Sequence, residues 1–471
     1  MGELTRLSAG EVVRLLGAGE VSPLELIDAA LERMAAVDPL VNAVPTRCPE
    51  RARAHARRMM DRTAPAGRLR GLPVLIKDLV EVKGVRTTHG SPIFADAVPD
   101  FSDWAVERIE AEGGIILGKT NTPEFGAGAN TFNEVFGATR NPWNTRLTCG
   151  GSSGGAAVAL ATGMAWLADG SDLGGSLRTP AAFCGIVGLR PSPGRVPHGP
   201  STLPFGTLSV LGPMARDVRD LALLLDVMAG FEPRDPLSFA PSARSYSKVA
   251  EHPAPPVRVA FSPDLGGITP VDAEVAAICR QAAARFAGLG AAVEEATPDL
   301  GSAVEVFTTL RAAQFAAGME PLLGAHRDRL KPEVVWNIQH GMGLSAAEIG
   351  RAERERGLLQ RRMAEFLDTH DLLCCPAAIV PPFPVEQRYL AELDGHRFPS
   401  YIDWVAINYA ITLTGCPALS LPCGFTASGL PVGLQIVGRP RGEAELLAAA
   451  AALEDALGLA GSVPIDPRPA A

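Results

Sequence analysis

Residues 149–188 read CGGSSGGAAVALATGMAWLADGSDLGGSLRTPAAFCGIVG. Two glycine–serine clusters, Gly150–Gly155 and Gly174–Ser176, flank a small-residue segment rich in alanine. Glycine lets a backbone approach a ligand closely and take angles other residues avoid, at a cost in chain entropy. Two such clusters, both carrying serine hydroxyls, are more than an ordinary fold requires. The stretch reads as the floor of an active site, with a helix over 155–162 and a short buried strand at Met164–Leu167.

Working outward, the apolar runs Leu72–Lys77 and Ile115–Leu117 have the character of strands covered on both faces. A helix is expected before the second, from about Trp104 to Glu112. Ser8-x-x-Glu11 and Ser22-Pro23-x-Glu25 form capping boxes that open two N-terminal helices. A polar helix from Pro49 to about Asp61 follows, then a short linker at Thr63–Gly67. Downstream, helices are expected over 217–230 and 272–289, with a strand at 257–261 between them. Residues 300–370 read as mostly helical. Strands at Leu372–Pro376, Pro417–Cys423 and Pro431–Val437 precede a closing helix at Glu443–Leu457. Alternation of strands and helices indicates an α/β fold. With no repeat and no clear boundary, residues 1–471 read as a single domain that begins with a helical segment, 1–66.

Composition is ordinary for a folded protein, 47% hydrophobic and 20% charged, with a formal net charge of −9. No basic stripe dominates any region, which argues against nucleic-acid binding; the arginines of 51–62 are broken by alanines and read as a solvated helix face. The N-terminus lacks a signal-type apolar core, and the longest apolar run, 156–168, is interrupted by Thr162 and Gly163. A soluble cytoplasmic protein without a membrane partner is expected. The eight cysteines show no C-x-x-C spacing, which gives neither a disulfide framework nor a zinc site. The eight histidines are scattered, so no metal and no other cofactor is expected.

Two short motifs fit by letter and fail in context. Residues 113–120, GGIILGKT, match the phosphate-loop pattern, but Ile115–Leu117 belong in a strand interior and no helix follows. Gly150–Gly154 matches a G-x-S-x-G nucleophile elbow, yet the residues before it are polar and no histidine has a recognisable acid partner. A serine nucleophile can use a lysine base instead. Lys77 is the best candidate: apolar residues precede it on a buried strand, and desolvation favours the neutral amine. An ion pair with Asp78 or another carboxylate is the competing explanation. Ser176 lies where a helix begins at Leu177–Pro180, so it is either an oxyanion-binding junction or a plain helix cap.

GGSSGG, then GSDLGGSLRTPAAFCGIVGLRPS, with GLPVLIKD upstream and ILGKTNTPEFG between, closely resembles the amidase signature family. The resemblance runs from Ser8 to GLPVGLQIVGRP near the C-terminus. It implies a large mixed, twisted β-sheet covered by helices on both faces, with a signature core at about 67–215 and a helical substrate-region insertion at about 300–370. It also implies roles. Lys77 matches the catalytic lysine, Ser152 the bridging serine that follows a cis peptide, and Ser176 the nucleophile. The amides of Leu173, Gly174, Gly175 and Ser176 would line the oxyanion hole, with Ser153, Asp172 and Arg178 holding the loops.

The expected reaction is amide hydrolysis through an acyl-enzyme, extending to carbamates (urethanes) and esters, which pass through similar oxyanions. The alternative is a glutaminase subunit of a tRNA-dependent amidotransferase. Substrate contacts are expected from Gly126, Ala127 and Gly128, with Phe307, Phe315, Trp336 and Ile338 as walls of a broad apolar pocket. Arg311 would read a substrate carboxylate or, more simply, make a surface salt bridge. The expected partner is a small amide or carbamate, with a homodimer left open.

Overall fold

The computed structural model describes residues 3–61 and 67–469. The linker at Thr63–Gly67 lies outside them but for its last residue. In chain order, eleven strands build one sheet: β1 (Thr46–Arg47), β2 (Pro73–Lys77), β3 (Ile115–Thr120), β4 (Leu167–Asp172), β5 (Val187–Arg190), β6 (Val210–Ala215), β7 (Arg258–Phe261), β8 (Ala292–Glu295), β9 (Leu372–Pro376), β10 (Ala418–Phe425) and β11 (Pro431–Val437). Across the sheet the order is β1-β3-β2-β4-β6-β5-β10-β11-β9-β7-β8. The pairing is mixed: β2 lies parallel to β3 and β4, while β6 runs antiparallel to β4.

Both faces of the sheet are covered. Successive residues of a strand point to opposite faces, and here they feed two different apolar cores. Val259, Phe261, Leu372 and Cys374 belong to one, and Ala260, Leu373 and Cys375 to the other. The first core takes in the helices Pro23–Val41, Gly154–Ala161, Val218–Met228, Ala273–Gly288 and Glu443–Leu457. The second takes in Ala303–His326, Ala346–Thr369 and Ala406–Thr414. The α/β reading and the large mixed sheet therefore hold.

Local sequence explains most element ends. Both N-terminal capping boxes form, with Ser8 and Ser22 accepting from the amides of Glu11 and Glu25. The closing helix spans Glu443–Leu457 as read. Residues 115–120 are the interior of β3, where Lys119 is buried and donates to the Val80 carbonyl and the Thr87 hydroxyl, so this is no phosphate loop.

One strand differs instructively. The strand expected at Met164–Leu167 instead begins at Leu167 and runs to Asp172. Its residues Asp169, Ser171 and Asp172 are polar, so an apolar-run criterion ends it too early. β5, β6 and β8 also escape that criterion, because glycine, proline and glutamate interrupt their apolar pattern and only sheet pairing holds them extended. All eight cysteines are free thiols. Among the described residues no cluster of histidine, cysteine or carboxylate side chains could hold a metal, and no helix is long and apolar enough to cross a membrane.

Candidate active site

Three pieces of chain meet where β2 and β4 end. These strands are parallel neighbours, with Val74 paired to Leu167 and Leu75 to Ala168, so their C-terminal ends emerge side by side. Such ends are where open parallel sheets place ligands. Lys77 closes β2, Ser171 and Asp172 close β4, and the loop before the helix Gly154–Ala161 brings Ser152 and Ser153 between them.

Lys77 is fully buried. Its Nζ lies 2.7 Å from Ser152 Oγ, and 2.9 Å from both Ser153 Oγ and Ser171 Oγ. Burial pushes its ammonium down to about 7, against the opposing pull of the Asp169 and Asp172 charges. The competing ion pair with Asp78 does not form; Asp78 lies 3.5 Å from Lys119 instead. Asp169 Oδ1 accepts the Lys77 backbone N–H at 2.6 Å, and burial pushes that carboxyl up to about 6. Ser171 and Asp169 are additions to the residues expected from sequence. The polar termination of β4 is their only signal along the chain.

The Gly151–Ser152 peptide is cis. Small residues are required around it: a Cβ on Gly155 would come within 2.3 Å of the Asn121 amide nitrogen. The helix Arg178–Cys184 has Leu177 at its N-cap, with no side-chain cap, so Ser176 is not a helix cap. The loop before it is organised by Asp172, which is fully buried. Its carboxylate accepts from the Gly175 and Leu177 amides at 2.9 and 3.1 Å and from Arg178 Nε and Nη2 at 3.0 and 2.9 Å. Burial alone would raise this carboxyl, but the Arg178 and Arg190 charges and these bonds hold it well below the usual carboxylate range.

Gly175 corrects one expectation. Its N–H is committed to Asp172, so it is not free to bind an oxyanion. Among the described residues, the amides of Leu173, Gly174 and Ser176 have no protein acceptor, and all three residues line a cavity shared with Ser152 and Ser171. Gly175 is required for another reason: its φ is +112°, and a Cβ there would meet Asn408 Cβ at 2.7 Å.

The cavity measures ≈ 80 Å³ and is also lined by Leu79, Phe125, Gly126, Gly128, Ala129, Phe307, Arg311 and Phe315. It is therefore narrow rather than the broad apolar pocket expected. Gly126 and Gly128 face it. Ala127 packs into an apolar cluster with Phe315, Val334 and Ile338, and its carbonyl accepts from Lys331 Nζ at 2.8 Å. Trp336 is 39% exposed and stacks on His340 rather than forming a wall. Arg311 is buried and pairs with no carboxylate among the described residues, which corrects the surface salt bridge. No histidine hydrogen-bonds Ser152, Ser153 or Ser176 among the described residues, which leaves the elbow reading without its base.

The model of the amidase family matches residues 25–447. The chain is 37% identical to an acylamidase of Rhodococcus erythropolis, over 98% of this chain and 97% of the relative. It is 36% identical to a glutamyl-tRNA(Gln) amidotransferase subunit of Moorella thermoacetica, over 96% of this chain and 97% of the relative. The crystal structure of a bacterial aryl acylamidase of the amidase signature family superposes with a TM-score of 0.91 at 30% identity, covering 98% of this chain and 99% of that one.

Proposed function

The chain belongs to the amidase signature family, and from that premise we propose that it hydrolyses small acyl and aryl amides through Ser176, Ser152 and Lys77. The observation that carries this reading is the environment of Lys77 Nζ. A neutral amine has two N–H donors and one lone pair. Ser153 and Ser171 accept the two donated bonds, which turns the lone pair toward the Ser152 hydroxyl at 2.7 Å. Burial keeps enough of the amine neutral near pH 7 to act as a base.

In the proposed reaction neutral Lys77 takes the Ser152 proton. Ser152 takes the proton of Ser176 as that oxygen attacks the amide carbonyl. The Leu173, Gly174 and Ser176 amides receive the developing oxyanion. The proton returns through Ser152 to the leaving amine, and water then cleaves the acyl-enzyme by the same route reversed. Asp172 and Arg178 hold the loop that presents these amides. Carbamates and esters follow the same path.

Similarity to an amidotransferase component supports a second reading, a glutaminase that works within a complex. None of the residues lining the cavity is acidic, so no carboxylate there would pair with the ammonium of glutamine, which favours simple amides as substrates. Assaying the purified chain on aryl amides, aliphatic amides, carbamates, esters and glutamine, with and without ATP, tests this. Turnover of simple amides without ATP or partner is expected. Turnover of glutamine alone, dependent on a partner, would replace the first reading with the second.

A further inference from the structure

We propose that Arg311 is the specificity-determining residue of the cavity, and that the preferred substrates are short-chain amides whose acyl part ends in a carboxylate. The inference rests on the reading above only in taking the cavity beside Ser176 as the acyl pocket.

Arg311 lies on the helix Ala303–His326, is 4% exposed, and lines the same cavity as Ser152 and Ser176. Its protein partners are neutral. One terminal nitrogen donates to Asn337 Oδ1, and the other donates to the Tyr401 hydroxyl at 2.6 Å. The rings of Phe315 and Tyr401 lie 4.5 and 5.4 Å from its Cζ. Asn337 Nδ2 also donates to the Tyr401 hydroxyl at 2.6 Å, so the two acceptors brace each other and fix the guanidinium plane. A guanidinium stays charged at any working pH and has five N–H donors. Two are used here, and no carboxylate among the described residues forms an ion pair with it. A buried ion without a counter-ion is costly to the fold, which points to a counter-charge supplied by what binds.

The surroundings agree on its sign and shape. No residue lining the cavity is acidic. The planar fork of arginine matches a carboxylate better than a point cation would. A cavity of ≈ 80 Å³ suits a short acyl chain.

A matched pair of anilides tests this on the purified full chain: N-(4-nitrophenyl)succinamic acid and N-(4-nitrophenyl)butanamide. The wild type should favour the acid in kcat/KM by roughly 10- to 100-fold. That ratio should fall to near one or below in Arg311→Met and be partly kept in Arg311→Lys. A wild type that cleaves both equally, or an Arg311→Met protein that keeps the ratio, would overturn the proposal. If Arg311→Met fails to fold, the ratios of the wild type and Arg311→Lys decide. Succinate binding to the Ser176→Ala protein by calorimetry is independent of turnover; binding supports the proposal and its absence overturns it. Failure of a fluorophosphonate to label Ser176 would instead sink the hydrolase reading, and the succinate measurement would still judge Arg311.

Discussion

The Ser153 amide donates to the Ser176 carbonyl oxygen at 3.1 Å. This bond ties the first glycine–serine loop to the second, backbone to backbone. The Ser153 hydroxyl meanwhile lies 2.9 Å from Lys77 Nζ. One residue therefore links Lys77, Ser152 and Ser176, although only Ser152 is its sequence neighbour.

Ser176→Ala and Lys77→Ala should each lower kcat/KM on a good amide by at least about 10³-fold, as expected when residues act as one unit. Circular dichroism should show both folded. Lys77→Arg should be equally inactive, since a guanidinium does not deprotonate. Near-wild-type turnover by Ser176→Ala would refute the assignment, and fluorophosphonate labelling of Ser153 would move the nucleophile there.

The pH profile follows from burial of Lys77, which brings its ammonium down to about 7. In the proposed reaction the neutral amine is the active form. kcat/KM should rise about tenfold per pH unit below 7 and level off above it. The folded value lies below the free-lysine value of 10.5, so the unfolded chain binds more protons between the two. This group's contribution to stability should therefore increase as pH rises from 7 toward 10.5. A rate that falls on raising the pH from about 6 to about 8 would exclude lysine as the base.

Ser171→Ala removes one acceptor from Lys77 Nζ while leaving Ser152 and Ser153 in place. A lost bond to a charged or strongly polar group is worth about 1.5–3 kcal/mol, so kcat should fall roughly 10- to 100-fold with KM little changed. The acid limb of the pH profile should also shift. An effect on melting temperature alone, with the rate and its pH dependence intact, would make Ser171 merely structural.

Asp172→Asn leaves Arg178 and Arg190 buried without their shared counter-ion. Breaking a buried pair by removing one partner costs about 3–5 kcal/mol, so thermal unfolding should shift down by many degrees. The loop amides should lose their arrangement as well. A variant with an unchanged melting temperature would show that Asp172 does not organise this loop.

Much of this molecule is legible along the chain. Short-range chemistry fixes the capping boxes at Ser8 and Ser22, the closing helix at Glu443–Leu457, and the bonds from Asp172 to Gly175, Leu177 and Arg178, which lie three to six residues away. The lysine ending an apolar run and the two glycine–serine clusters mark Lys77, Ser152 and Ser176 as candidates, and it is the family resemblance that implies a role for each. The polar strand β4 escapes because its residues answer to its sheet neighbours rather than to their own hydropathy.

Tertiary structure decided the rest. Lys77 is set among three hydroxyls 75 to 94 residues away, and Asp78 is diverted to Lys119 by the pairing of β2 with β3. Position 175 admits no side chain because Asn408, from a distant helix, would lie 2.7 Å from its Cβ. Arg311 reads in sequence as a substrate contact or a surface salt bridge, and in the fold it is buried and held by Asn337 and Tyr401. A sequence states which groups a chain carries; burial and long-range packing decide which are desolvated, and so which are reactive.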